Sequence, residues 1–203
     1  MNSEILPEIV LASNNPGKIR EFSAVMEPLG IRIIPQGDLN IPAAPEPFGT
    51  FIENALAKAR QACLASGKPS LADDSGICVQ ALMDAPGIYS ARYAGEHAND
   101  ASNNQKLITA LQGIEQRAAR YVCALVLLRH PNDPEPIIAC ADWHGEVIDT
   151  PRGHHGFGYD PYFWLPTLGK TVAELDPDLK NQISHRALAL EILLPQIKAY
   201  KIR

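Results

Sequence analysis

The sequence predicts an α/β fold, and three observations carry that expectation. Residues 5–35 read as strand, tight turn, helix and strand. Two apolar runs, Tyr121 to Leu128 and Ile137 to Ile148, read as strands joined by the turn-forming HPNDPEP. The chain closes on a stretch whose apolar residues step by three and four, as on a helix. Alternating strands and helices of this kind favour helices packed on a sheet.

The elements follow in order. Ile5 to Ala12 is strand-like in its second half. Asn15-Pro16 has the form of an N-cap followed by proline at the first helical position. Ile19, Phe22, Met26 and Leu29 then make one apolar stripe, and Gly30 supplies a stop. Ile31 to Pro35 predicts the second strand, and residues 41–49 a proline-rich loop. Thr50 to Ser66 predicts a helix with Thr50 and Glu53 as a capping box and Gly67 as its end. A short strand from Ser70 to Ala72 runs into Asp73-Asp74-Ser75-Gly76, and Ile77-Cys78-Val79 resumes strand character. Residues 84–95 are turn-rich, and 100–112 predict a third helix. Tyr121 to Leu128 and Ile137 to Ile148 predict a long antiparallel hairpin, followed by a glycine-rich loop at 150–161. Leu179, Ile183, Ala187, Leu190, Leu194 and Ile197 predict an amphipathic C-terminal helix.

At 203 residues the chain suits one domain or two tightly joined lobes. It can bury roughly 70% of its unfolded surface, so it needs no disulfide or metal staple. Apolar residues are 46% and charged residues 20%, a globular balance. The net charge of −5 lies wholly in the first hundred residues, the remainder being neutral. Neither half is basic, which argues against broad binding to nucleic acid or to an anionic membrane surface. A small anionic ligand needs only a few placed donors. The longest apolar run, Val122 to Leu128, is far short of the ~20 residues that span a bilayer. MNSEILPEIV has two glutamates and no basic segment, unlike a signal peptide. The four cysteines have no CxxC spacing and read as buried free thiols of a reducing cytoplasm.

Four polar clusters fall beside element ends, where α/β enzymes place their sites. In Ser13-Asn14-Asn15-Pro16-Gly17-Lys18 a strand enters and a helix leaves. Backbone N–H groups at a helix start favour anions, and Lys18 adds a mobile charge. The GxxxxGK[ST] phosphate loop is absent, and an ordinary capped turn is the alternative. Asp73 and Asp74, adjacent on a strand, point to opposite faces, so one can meet a ligand while the other braces the backbone. Paired carboxylates suit Mg²⁺, and one beside a metal can accept a proton from water. An Asx turn closed by Gly76 is the alternative. Glu46 is the single carboxylate of its loop and has no evident local duty; Glu53 already serves the cap and ranks behind it. Gly153 to Pro161 interleaves glycines with Phe157 and Tyr159, allowing close backbone approach and ring faces for a planar base. The spacing of its two histidines does not suit zinc. Lys180 and Arg186 would diverge by about 120° on one continuous helix. They could face one ligand if the last helix starts near Ser184, with Ser184 as N-cap.

Together these segments resemble the inosine triphosphate pyrophosphatase family, also called Ham1-like. The resemblance runs from Leu11 to Leu190 through SNNPGK, TFIENALAKA, LADDSG, APGIYSARYAG, GFGYDPYF and KNQISHRALAL, in order. It implies an elongated two-lobed α/β fold around a long mixed sheet with flanking helices, the active site in the cleft between lobes, and a homodimer. It implies one catalytic domain over 1–203 that uses Mg²⁺ to hydrolyse ITP, dITP and XTP to the monophosphate and pyrophosphate. By position, Ser13, Asn14, Asn15, Pro16, Gly17 and Lys18 would bind substrate, chiefly its phosphates. Asp74 would be proton acceptor and metal ligand, with Asp73 beside it and Ser75 on the substrate. Phe157, Gly158, Tyr159, Asp160, Lys180, His185 and Arg186 would complete the nucleotide site, and Glu46 or Glu53 would join the metal. A pyrophosphatase for methylated pyrimidine nucleotides, a non-catalytic nucleotide sensor and a nucleic-acid module are the competing readings.

Overall fold

A computed structural model describes residues 8–200. Residues 5–7 of the first predicted strand lie outside the described residues. The chain runs β1 (Glu8–Leu11), α1 (Pro16–Met26), β2 (Arg32–Pro35), α2 (Phe51–Ser66), β3 (Ser70–Val79), α3 (Asp100–Ala110), β4 (Ala118–Leu128), β5 (Ile137–Val147), β6 (Phe163–Leu165), β7 (Lys170–Thr171), α4 (Pro177–Ile183) and α5 (His185–Tyr200). One seven-stranded sheet has the order β2-β1-β3-β4-β5-β6-β7. It is mixed: β1 is parallel to β2 and β3, while β6 is antiparallel to β5 and β7.

The described chain divides into two compact units. The first takes the residues up to Asp74, Ala124–Cys140 and those from Ala189 on. Its core joins Val10, Ile34, Ala55, Ala59, Val126 and Leu128. The second takes Ser75–Cys123 and Ala141–Leu188, and its core gathers Leu107, Tyr121, Tyr159 and Phe163. Local capping works as the sequence implies. Asn15 accepts from the N–H groups of Gly17 and Lys18, with Pro16 at the first helical position. Gly30 and Gly67 end their helical segments at φ of 72° and 65°, which glycine adopts without steric cost.

Four expectations change. Asp73-Asp74-Ser75-Gly76 does not interrupt the strand; β3 runs unbroken through it, in the middle of the sheet and buried along nearly its whole length. Ladder pairing there outweighs the turn preference of Asp, Ser and Gly. The Thr50 cap is closed differently from the reciprocal box: the Glu53 carboxylate accepts from the Thr50 hydroxyl at 2.7 Å. The C-terminal stripe is two helices, because Ser184 takes an extended ψ of 163°. Its hydroxyl then accepts from the Ala187 N–H and starts α5. Finally, Cys63, Cys78 and Cys123 are buried cysteines outside any disulfide, but Cys140 is exposed. It lies on β5, where exposed residues alternate with more buried ones.

Candidate active site

In the first unit the site grows from parallel pairing. β1 and β3 are neighbours with Leu11 opposite Leu71, so the chain leaves β1 toward α1 at the end of the sheet where β3 reaches Asp73. Lys18, in the first turn of α1, extends to Asp73, and the two form an ion pair. Asp73 is fully buried at its side chain. The other predicted phosphate ligands are arranged otherwise than a free anion cradle. The N–H groups of Gly17 and Lys18 are taken by the Asn15 side chain, and that of Asn15 by the Ser13 hydroxyl. The cap consumes the donors that a bare helix start would offer, leaving Lys18 as the cation of this turn. Asn14, Asn15 and Pro16 are exposed.

Asp74 points the opposite way along β3 and meets Lys58 of α2 at 2.7 Å. The same ammonium reaches Glu46 at 2.8 Å. Burial pushes the Asp74 carboxyl up to about 6; Lys58 pulls against this, while Glu46 and Asp73 add to it. Burial also opposes the charge on Lys58, but Asp74 and Glu46 together hold it above its usual range. Glu53 stays exposed at the start of α2 with Thr50. Among the described residues, no group of three or more His, Cys, Asp or Glu side chains is placed to hold a metal.

In the second unit Asp160 is the hub. Its carboxylate accepts from Tyr121 at 3.1 Å, from the Phe157 N–H at 2.9 Å and from Lys180 at 2.5 Å. Gly156 is required beside it, since a Cβ there would lie 2.0 Å from Asp160 Oδ2. Lys180 also sits 4.6 Å from the centre of the Phe157 ring, which is 47% exposed and so presents a face to a planar ligand. His185 stacks on Tyr121 at 4.8 Å with the rings 12° apart. Both His185 and Arg186 are buried in the first turn of α5. Gly158 is gripped from α3: its N–H donates to Asp100 at 2.7 Å, and its carbonyl accepts from Asn104 at 2.8 Å. Tyr159 is in the core, donating to the Ser90 carbonyl at 2.8 Å, so its ring is not a surface for a base. Ser75, next along β3 from Asp74, is half-buried.

Residues 9–196 match the sequence model of the Ham1 family. The chain belongs to the Ham1 family. It is 58% identical over 192 residues to a dITP/XTP pyrophosphatase of Burkholderia pseudomallei, covering 93% of this chain and 92% of that one. It is 56% identical over 196 residues to a dITP/XTP pyrophosphatase of Neisseria meningitidis, covering 96% and 98%. The fold matches a HAM1 protein from Coxiella burnetii with a TM-score of 0.91 at 46% identity, over 95% of this chain and 98% of that one. It matches the Staphylococcus aureus Ham1 protein with a TM-score of 0.87 at 40% identity, over 95% and 99%.

In this Ham1 chain, Lys58, Tyr121, Asp100 and Asn104 also hold site residues in place, and no local sequence motif marks them. Lys58 left a trace. It is the one charge set among Ala55, Ala59 and Ala62, the buried stripe of α2. A charge on an apolar stripe needs a buried partner. Tyr121 looked like one more apolar strand residue, and its hydroxyl contact with Asp160 spans 39 positions that no local pattern links.

Proposed function

We propose that this Ham1 protein hydrolyses non-standard purine nucleoside triphosphates, ITP, dITP and XTP, to the monophosphate and pyrophosphate. One observation carries the reading: Asp74, a buried carboxyl raised to about 6 on an inner strand of the sheet, meets the Lys58 ammonium at 2.7 Å, and Glu46 converges on the same ammonium at 2.8 Å. Near neutral pH it is largely ionised yet basic enough to take a proton from an attacking water. Lys18 supplies positive charge toward the departing pyrophosphate. Phe157 offers its ring to the base, and Lys180, His185 and Arg186 supply donors for the nucleotide. A donor aimed at purine position 6 donates to the oxygen of hypoxanthine or xanthine and leaves an adenine amino group unpaired, a mismatch that discriminates strongly. The names of the curated relatives give two of these substrates, dITP and XTP.

The residues fit Mg²⁺ as cofactor. Glu46 and Asp74 converge on one cationic position, now that of the Lys58 ammonium. Mg²⁺ is usually held by one or two carboxylates with substrate phosphates completing its shell. Glu46 and Asp74 would hold it, and the ion would neutralise the triphosphate and polarise the bond between the α and β phosphates. We read the whole chain as one catalytic domain, a homodimer acting on the cytoplasmic nucleotide pool. Among the described residues no helix is long and apolar enough to cross a membrane.

The test is pyrophosphate release across a panel of ITP, XTP, dITP, ATP, GTP, dTTP and 5-methyl-UTP with Mg²⁺. Preference for the deaminated purines is expected. Equal or faster release from the pyrimidines would overturn the reading.

A further inference from the structure

One buried amide in α2 has no place in the chemistry above. Asn54 is 0% exposed, and its side chain is spent on the backbone of a single loop residue. Its Oδ1 accepts from the Phe48 N–H at 3.1 Å, and its Nδ2 donates to the Phe48 carbonyl at 3.3 Å. Phe48 stands two residues after Glu46. Lys58, one turn on from Asn54, holds the Glu46 carboxylate itself at 2.8 Å. Gln61, three residues further, donates to the Pro42 carbonyl at 2.7 Å. Positions 54, 58 and 61 lie within about 60° of one another around a helix, so one face of α2 carries all three grips. The loop spans residues 42–48 and has no strand or helix of its own to fix it.

We propose that Asn54 is a positioning residue: by clamping both backbone groups of Phe48, it sets the Glu46 carboxylate where, together with Asp74, it can hold Mg²⁺. This rests on the reading of Glu46 as a metal ligand. The physical basis is preorganisation. A carboxylate on an irregular loop samples many positions, and the entropy of ordering it is lost at binding unless the fold has already paid it. Two hydrogen bonds to one peptide segment fix that segment's orientation as well as its place. Gln61 does the same more weakly, through one bond at the far end of the loop.

The test measures Mg²⁺ affinity by calorimetry on full-length protein saturated with a non-hydrolysable imidotriphosphate analogue of ITP, for wild type and for Asn54→Ala, Gln61→Ala and Glu46→Gln. Melting temperature and analogue affinity in EDTA are recorded beside it. Groups that orient a metal ligand are typically worth roughly 10–100-fold in metal affinity. A loss in that range is expected for Asn54→Ala, with analogue affinity in EDTA unchanged and turnover recovered at high Mg²⁺. A merely structural role would instead lower analogue affinity and melting temperature without selective loss of Mg²⁺. If Glu46→Gln leaves Mg²⁺ affinity unchanged, the metal-ligand reading itself fails. If Glu46→Gln weakens Mg²⁺ while a folded Asn54→Ala does not, the ligand reading stands and the positioning role is overturned. Should Asn54→Ala not fold, Gln61→Ala decides, since its amide is only half-buried: a loss of about twofold or more supports the clamp, and none overturns it.

Discussion

The Lys58 ammonium lies 2.7 Å from the Asp74 carboxylate and shares itself with Glu46 at 2.8 Å. A single lysine thus opposes two forces that would keep Asp74 neutral, its burial and the neighbouring negative charge. If Asp74 is the proton acceptor, turnover requires its ionised form. In kcat/KM, which reports the free enzyme, the rate should fall tenfold per pH unit below about 6 and level off above it. Lys58→Met removes the group that pulls the carboxyl down, so the limb should move to higher pH. A pH–rate profile of both proteins checks this, and an unmoved limb would separate Asp74 from the titration.

Asp74→Asn should abolish turnover and leave the protein more stable at alkaline pH. The sign follows from the raised carboxyl. Between its ordinary value and about 6 the folded state binds the proton more tightly than the unfolded state, so stability falls as pH rises through that window. Asparagine stays neutral and avoids the loss, which is at most about 3 kcal/mol. Denaturant melts should show the variant ahead at pH 8 and the gap closing near pH 4. A folded variant that still releases pyrophosphate at the normal rate would remove Asp74 from its role.

Lys18→Ala acts at the other carboxylate. It takes away the cation proposed to meet the triphosphate and leaves Asp73 buried without that ammonium. KM should rise roughly tenfold to a hundredfold, the worth of a bond to a charged group, with a smaller effect on kcat. Steady-state kinetics with ITP decide it; unchanged constants would exclude Lys18 from substrate binding.

Tyr121→Phe keeps the ring stacked on His185 and deletes the hydroxyl that donates to Asp160. A buried carboxylate loses one of its donors, which should cost about 1–3 kcal/mol in denaturant unfolding. No loss would mean that the hydroxyl contributes nothing to holding the hub.

Much of the fold could be read from sequence because its signals are local. Asn15-Pro16, Thr50, Gly30 and Gly67 each act within a few residues, and all four stand where expected. The continuity of β3 through Asp73-Asp74-Ser75-Gly76 was not legible, because residues that favour turns are held extended in an inner strand buried along nearly its whole length, which no local pattern announces. The break at Ser184 was legible only as one of two options, since its neighbours suit either a continuous helix or a capped one. Within the site the carboxylates were visible and their partners were not. Lys18 to Asp73 spans 55 positions and Lys58 to Asp74 spans 16, distances over which periodicity carries no information.

The pairing of β3 with β1 has a further consequence. Asp73 and Asp74 are chemically identical, and only odd or even position along the strand assigns one to Lys18 and the other to Lys58. Val10 facing Ser70 and Leu11 facing Leu71 fix that parity. Slipping the strand by a single residue would exchange the two faces while altering composition and charge not at all. Which carboxylate stands where the proposed proton acceptor must be is therefore stored in the hydrogen-bond ladder of the sheet, several residues from that carboxylate.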